Sequence, residues 1–591
     1  MPHKLKSAPK IKTEWNLKQL YTSPSDPRLE RDMKIIARKH EAFAKKYQNK
    51  TGWLKNERQL VQALKDYEKT VLDAKPIIFL KLWLDIKSND SVAEGKLNKM
   101  MDLLVKAGNR VMFFELALSK IPAKQQKRYL ENRLLAPFHY FLSQVFKLAK
   151  HNLSEAEEKI LNLKNQPAHR FWVNGVSKQL SKLTVKYRGK DIPISEASFL
   201  IPSLPTGKRR ELHRLVTDQY KTVGDFSESE INAIVNNKKI NDELRSFETP
   251  YESTVLHYQN KPKTVATLVK TVSKNNKLGH RFYKIKAKIL GLKRLTYADR
   301  AAQIGKNNKK ISFNQSLGTL RKIFGATGKQ FLDILDLMIA NGQIDVFPRQ
   351  HKRGGAYCLS THTTPTFVML NHLPDFNSTM TFAHEMGHAI HSELTKSKQR
   401  PIYQGYSIAV AEVASTLFES FVFEEVFKTL SAKERVIALH DKIQSDVATI
   451  FRQIACFNFE VALHEQIRQK GALPKEEIAK LLNKHMSSYL GPVVKLSPDD
   501  GYFFVSWSHI RNFFYVYSYA HGQLISKALF AKYQADPEYL KTIISFLEAG
   551  GSGSPEDIFK DAGIDITKPE FFQTGLKEIE RDIKRLEKLI S

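Results

Sequence analysis

The chain has 591 residues, 42 % hydrophobic and 26 % charged, with 93 Lys+Arg against 61 Asp+Glu and a formal net charge of +32. Such a length buries large cores and leaves room for several domains, and the composition excludes a disordered or fibrous chain. Two cysteines, Cys358 and Cys456, exclude a disulfide framework and read as free thiols of a reducing compartment.

Segment 1–12 is basic but lacks the apolar core of a secretory signal, so a cytoplasmic protein is expected. No apolar run is long enough for a bilayer; the richest, 76–84, contains Lys81. The positive charge is dispersed, with short runs such as Lys208-Arg209-Arg210 and no nucleic-acid motif. It fits a proteome-wide or high-salt adaptation, or steering toward anionic peptides. No specific nucleic-acid partner and no membrane partner are expected.

In chain order, amphipathic helical periodicity marks 29–47, 57–73, 93–119, 154–164 and 207–219. Turn-rich breaks fall near 49–53, 164–168, 201–207, 347–355, 491–501 and 549–555. Strand-like stretches lie around 170–188, 344–347 and 354–371. The chain therefore reads as mainly α, with an N-terminal helical lobe over 1–200 and a second lobe over 201–591. Thr366–Asn371 follows Pro365 and reads as an edge strand, able to pair with an extended peptide.

The next element carries the chemistry. Residues 378–394 are free of proline, rich in apolar side chains and preceded by the candidate caps Asp375, Asn377 and Ser378. Within them stands His384-Glu385-Met386-Gly387-His388, the pattern H-E-x-x-H. Histidines four apart share a helical face and can reach one metal ion, with Glu385 placed as general base toward water. A catalytic zinc needs a third protein ligand. Leu394 and His391 occupy the positions where metzincins carry their third histidine and its preceding glycine, so that pattern is absent. Glu393 is on the same helix but turned away from the histidine face. Glu412 lies in the small and apolar helical run 408–418, where an unpaired carboxylate is costly to bury and a metal would offset that cost. An ion pair with lysine or arginine is the other reading of Glu412. Glu419, two turns on, is placed to orient a ligand histidine or to form an ordinary ion pair.

Residues 507–522 read as an aromatic helix with Tyr515 and Tyr519 on one face and Tyr517 on another. Phenols and an imidazole in a cleft can donate to a developing oxyanion. Aromatic helices also pack as ordinary core, and spacing alone leaves both readings open. The last helical pattern, 574–590, is amphipathic and suited to packing on the second lobe.

The run HEMGHAIH at 384–391, followed by AEVAST at 411–416, resembles the thimet oligopeptidase family, in particular its oligoendopeptidase F branch. TEWNLKQLY (13–21), RGGAYC (353–358), TPTFVMLN (364–371), FLEAGGSGSP (546–555) and DAGIDI (561–566) are similar to other segments of that branch, in the same order. The resemblance implies a zinc metalloendopeptidase of short oligopeptides, with a zincin-like core and two helical lobes flanking a deep substrate channel. It implies one Zn2+ per chain on His384, His388 and Glu412, with Glu385 as general base and acid. It further implies oxyanion donors in His509, Tyr515 and Tyr519. The chain departs from the branch in having Ser508 where a proline commonly precedes the histidine, and Ile510-Arg511-Asn512 where tyrosines commonly follow it. A metallocarboxypeptidase on a related scaffold and a non-catalytic peptide- or RNA-binding protein are the alternative readings.

Overall fold

Asp26 caps the first long helix, Pro27–Tyr47, by accepting from the Arg28 N–H, with proline at the first helical position. The same logic recurs at Ser154, Ser312 and Ser431, each closing a reciprocal capping box. The computed structural model describes residues 11–71, 75–306 and 309–591. Helices dominate it, and among the described residues none is long and apolar enough to cross a membrane.

Three expectations for the N-terminal part are corrected. The helix expected over 93–119 is divided at Met112 into Ser91–Val111 and Phe113–Ser119. The stretch 170–188 is mostly helix. The break expected at 164–168 is a π-helical turn, Gln166–Arg170, running on into the helix Phe171–Lys182. Trp172, Val176 and Leu180 recur every fourth residue and turn inward together, so helical spacing overrides the local β-branched and aromatic content. Only Thr184–Tyr187 (β1) is extended; it pairs with Lys190–Pro193 (β2) across Arg188-Gly189, whose φ of 52° and 77° suit a two-residue hairpin.

Short parallel strands Leu295–Thr296 (β3) and Val494–Lys495 (β7) form a second pair. The third sheet holds Ile344–Asp345 (β4), Tyr357–Thr361 (β5) and Thr364–Met369 (β6) in the order β4-β6-β5. The expected edge strand, β6, is therefore central. Pro365 is tolerated because it falls at an irregularity of the β5–β6 ladder between Leu359 and Thr361, where no N–H is required. On the far side, segment 13–16 covers β4: the Val346 N–H donates to the Thr13 carbonyl and the Trp15 indole donates to the Gln343 and Val368 carbonyls. The edge left without a strand partner among the described residues is β5.

The largest hydrophobic cluster runs from Val223 to Leu586. A second joins the N-terminal Trp15–Met100 region to Phe367 and Met369 of β6, a third lies within residues 43–145, and a small fourth spans Val185–Val216. Four helices of the largest cluster build the site: α1 (Phe376–Lys398), α2 (Ile408–Lys428), α3 (Gln453–Lys470) and α4 (Tyr517–Ala535). The last helix, Pro569–Leu589, packs on α4 where Gly575 meets the Leu524 carbonyl.

Candidate active site

Helix α1 starts where the sequence places its caps: the Asp375 carboxylate accepts from the Ser378 N–H at 2.7 Å. Glu393 is held away from the histidines. It accepts from Thr366 Oγ1 of β6 and from Lys396 Nζ, tying the helix to the sheet. His384 and His388 face the cleft with ring centroids 5.0 Å apart, edge to face.

Helix α2 approaches α1 at backbone distance. A β-carbon on Gly387 would lie 2.7 Å from Ser415 Cα and 2.9 Å from the Ala414 carbonyl. This contact brings Glu412 Oε2 to 3.6 Å from His384 Nε2. The donor atoms of His384, His388 and Glu412 all lie within 4.8 Å of one another. Ligands about 2.0–2.1 Å from a tetrahedral zinc stand roughly 3.3 Å apart, so the nitrogen–nitrogen–oxygen set fits that ion after a small contraction. Among the described residues no lysine or arginine pairs with Glu412; Ser415 Oγ donates to its Oε2 at 3.1 Å. His384 Nδ1 lies 3.3 Å from Glu419 Oε2. The His384 imidazole thus has a second partner fixing its ring, the arrangement that metal-ligating histidines require.

The charges around the site follow its burial. Burial disfavours the charged His384 ring, but the Glu419 hydrogen bond and the surrounding carboxylates outweigh it and raise the pKa. For His388, burial and then the neighbouring His384 depress the value to about 3, leaving a neutral ring with a free lone pair. Glu385 is buried, and burial raises its carboxyl to about 7, His384 lowering it and Glu412 adding to the rise. Among the described residues Glu385 Oε2 has no hydrogen-bond partner. A buried carboxylate oxygen without a donor, beside two imidazoles, is the configuration expected of a group that meets its proton only when substrate and water are present.

The free edge β5 forms one wall of a cleft of about 750 Å³ with His384, Glu385, His388 and Glu412 on the other. Cys358 and His362 lie on the strand side, and Tyr406 closes the end, stacked at 3.9 Å on the buried ring of His391. A second chamber of about 500 Å³ shares His384 and Glu412 and continues past Glu419 to Tyr519, Gln523 and Lys527. Two of the candidate metal ligands, His384 and Glu412, therefore line both spaces.

The single helix expected over 507–522 is not continuous. A 3₁₀ turn, Ser508–Asn512, is followed by Phe513 and Phe514, both with positive φ, and α4 begins only at Tyr517. Tyr515 therefore precedes the helix. The three predicted donors still meet. His509 Nδ1 hydrogen-bonds the Tyr515 hydroxyl, and the Tyr519 ring lies 5.8 Å from Tyr515 and 6.1 Å from His509. Tyr519 lines the second chamber with the metal-candidate residues, while His509 and Tyr515 stand behind it. Tyr517 points elsewhere, its hydroxyl accepting from Asn260.

Two positioning glycines are not evident from the sequence. Gly387 lies inside the motif, and Gly522 on α4 sits so close to α2 that a β-carbon would be 3.1 Å from Glu412 Cβ. Helix α2 is thus held close on both sides of Glu412, by Gly387 at Ala414–Ser415 and by Gly522 at Ala409 and Glu412. The available signal is a glycine inside each of two helices, where glycine otherwise costs stability. Gly550 and Gly551 fix the loop between α1 and α2 in a similar way, since Gly551 donates to the Tyr403 carbonyl and leaves no room for a β-carbon against Gly405.

Comparisons with known proteins agree with this geometry. The profile of peptidase family M3 matches residues 206–578, and that of oligopeptidase F matches residues 118–175. The chain is 25 % identical to oligopeptidase PepF of Bacillus subtilis over 86 % of its own length and 77 % of that protein's. It is 24 % identical to an oligoendopeptidase F homolog of Lactococcus lactis, over 88 % and 89 % of the two chains. Its fold resembles the crystal structure of a protein assigned as a peptidase from Chlamydophila abortus, with a TM-score of 0.86 at 21 % identity, covering 98 % and 100 % of the two chains. Oligoendopeptidase-F from Enterococcus faecium gives 0.70 at 19 % identity, over 95 % and 99 %.

Proposed function

The chain belongs to peptidase family M3 and is a metalloendopeptidase, and from that premise we propose that it is a zinc-dependent, cytoplasmic enzyme cutting internal bonds of short oligopeptides. The observation that carries the site assignment is the convergence of His384, His388 and Glu412 donor atoms within 4.8 Å beside the unpartnered Glu385 Oε2.

In this reading one zinc ion is held by His384, His388 and Glu412, and when bound it polarises the scissile carbonyl and makes water a better nucleophile at neutral pH. Glu419 on His384 Nδ1 keeps that ring aimed. The substrate backbone adds to the β5 edge, gaining affinity from main-chain hydrogen bonds without demanding a particular side chain. Glu385 Oε2 takes the proton of the attacking water and returns it to the leaving nitrogen. Tyr519, supported by Tyr515 and His509, donates toward the oxygen on which negative charge develops. Both cysteines are unpaired, which supports a reducing compartment. The proposed lobes, 1–200 and 201–591, would share the small cluster around Val185–Val216 and the cluster that joins Trp15–Met100 to Phe367 and Met369.

The test is Glu385→Gln, assayed with a quenched fluorescent peptide and by metal analysis. Turnover should collapse by about 10²-fold or more while zinc content stays at the wild-type level; wild-type turnover would refute the role.

A further inference from the structure

Two consecutive phenylalanines, Phe513 with φ 46° and Phe514 with φ 61°, occupy the left-handed region that bulky L-residues avoid. Such backbone persists only where the surroundings over-determine it. Three groups from other elements do so here. The Phe514 N–H donates to Glu460 Oε2 of α3 at 2.6 Å, and Thr254 Oγ1 donates to the Phe513 carbonyl at 3.1 Å. His464, one turn along α3 from Glu460, packs against both phenylalanine rings at 5.3 and 4.6 Å.

Glu460 is fully buried and has no cationic partner among the described residues; its Oε1 is without any hydrogen bond. A carboxyl group placed there for stability alone is a poor choice, because an apolar side chain would avoid its desolvation. What the carboxyl does is hold the N–H of a strained residue. The strained pair reverses the chain between the 3₁₀ turn at Ser508–Asn512 and α4, and this reversal returns the Tyr515 hydroxyl to His509 Nδ1 and sets both rings against Tyr519.

We propose that Glu460 is a positioning residue for the reaction: by anchoring the left-handed Phe513–Phe514 turn, it sets where Tyr515, and through it Tyr519, can present a hydroxyl to the developing oxyanion. This rests on the oxyanion role given above to His509, Tyr515 and Tyr519. Burial raises the Glu460 carboxyl to about 8, so the side chain is largely neutral at physiological pH and its part is that of a hydrogen-bond acceptor. Glutamine keeps an acceptor of the same reach; methionine keeps the volume and removes it.

A double-mutant cycle tests the proposal, with kcat and KM measured on a quenched fluorescent peptide and zinc content and thermal unfolding followed for every variant. Tyr515→Phe should lower kcat by about 10²-fold, because it unseats the Tyr519 donor that Tyr515 supports. Glu460→Met should lower kcat by roughly 30-fold with KM within about twofold, and Glu460→Gln should restore kcat to within about threefold of wild type. The double variant Glu460→Met/Tyr515→Phe should be no slower than Tyr515→Phe alone, because the anchor acts only through that hydroxyl. Multiplying effects, or a Glu460→Met variant with wild-type kcat, would overturn the proposal while leaving the tyrosine reading intact. Wild-type kcat in Tyr515→Phe would instead overturn the tyrosine reading, and the proposal with it. Should Glu460→Met not fold, Thr254→Val removes the opposite anchor of the same turn and must show the same lack of additivity with Tyr515→Phe; additivity there overturns the proposal equally.

Discussion

Gly387 faces Ser415 with no room for a side chain between them: a β-carbon at Gly387 would stand 2.7 Å from Ser415 Cα and 2.9 Å from the Ala414 carbonyl. Both neighbours are backbone atoms of α2 and cannot rotate away. Gly387→Ala should therefore force the helices apart, at a cost of about 1–3 kcal/mol for overpacking. Glu412 rides on the displaced helix, so zinc affinity should fall as well, by at least about tenfold on the scale of outer-shell lesions. Denaturant unfolding together with competition against a zinc-binding dye checks both parts. Unchanged zinc affinity would mean that the close approach is not what delivers Glu412.

Glu419 should act on the metal without touching it. Its Oε2 is 3.3 Å from His384 Nδ1. Glu419→Ala removes the partner that fixes the ring and should weaken zinc affinity by about 10–100-fold with the fold retained. Chelator competition measures the loss. An affinity equal to wild type would reduce Glu419 to an ordinary acidic side chain on the rim of the second chamber.

The free edge of β5 makes a prediction about substrates. If peptide backbone pairs with Tyr357–Thr361, removing a backbone N–H from the substrate should hurt even where its side chains are unchanged. Scanning a cleaved peptide with single N-methyl groups should give one or two positions near the scissile bond where kcat/KM drops by roughly tenfold, the worth of one charge-free hydrogen bond. Mass spectrometry of the products should show internal cuts. A flat scan would remove strand addition from the account.

Much of the site is legible in the sequence alone, for reasons that differ by element. The motif helix is readable because its apolar positions, its Asp375 cap and its four-residue histidine spacing are all local properties. Glu412 is readable because a lone carboxylate in an apolar run needs a partner. The failures come where the outcome depends on distant chain. Pro365 suggests an edge strand, but the true edge is β5, and the irregular ladder that excuses the proline is a property of two strands together. The run 507–522 looks like one helix because nothing local to Phe513 and Phe514 announces positive φ; their conformation is imposed by Glu460, Thr254 and His464 from other elements. Composition misleads over the stretch 170–188, although the four-residue spacing of Trp172, Val176 and Leu180 already favours a helix.

The measurement that bears most directly on the metal assignment compares two carboxylates close in sequence and different in geometry. Glu412 reaches the histidine pair, whereas Glu393, only five residues beyond His388, is committed to Thr366 and Lys396. Zinc stoichiometry and peptide turnover measured in parallel on wild type, Glu412→Ala and Glu393→Ala decide the matter. The account predicts about one zinc per chain in wild type and in Glu393→Ala, and loss of both zinc and turnover in Glu412→Ala. A Glu412→Ala protein that keeps a full equivalent of zinc and cuts peptide at the wild-type rate would contradict it.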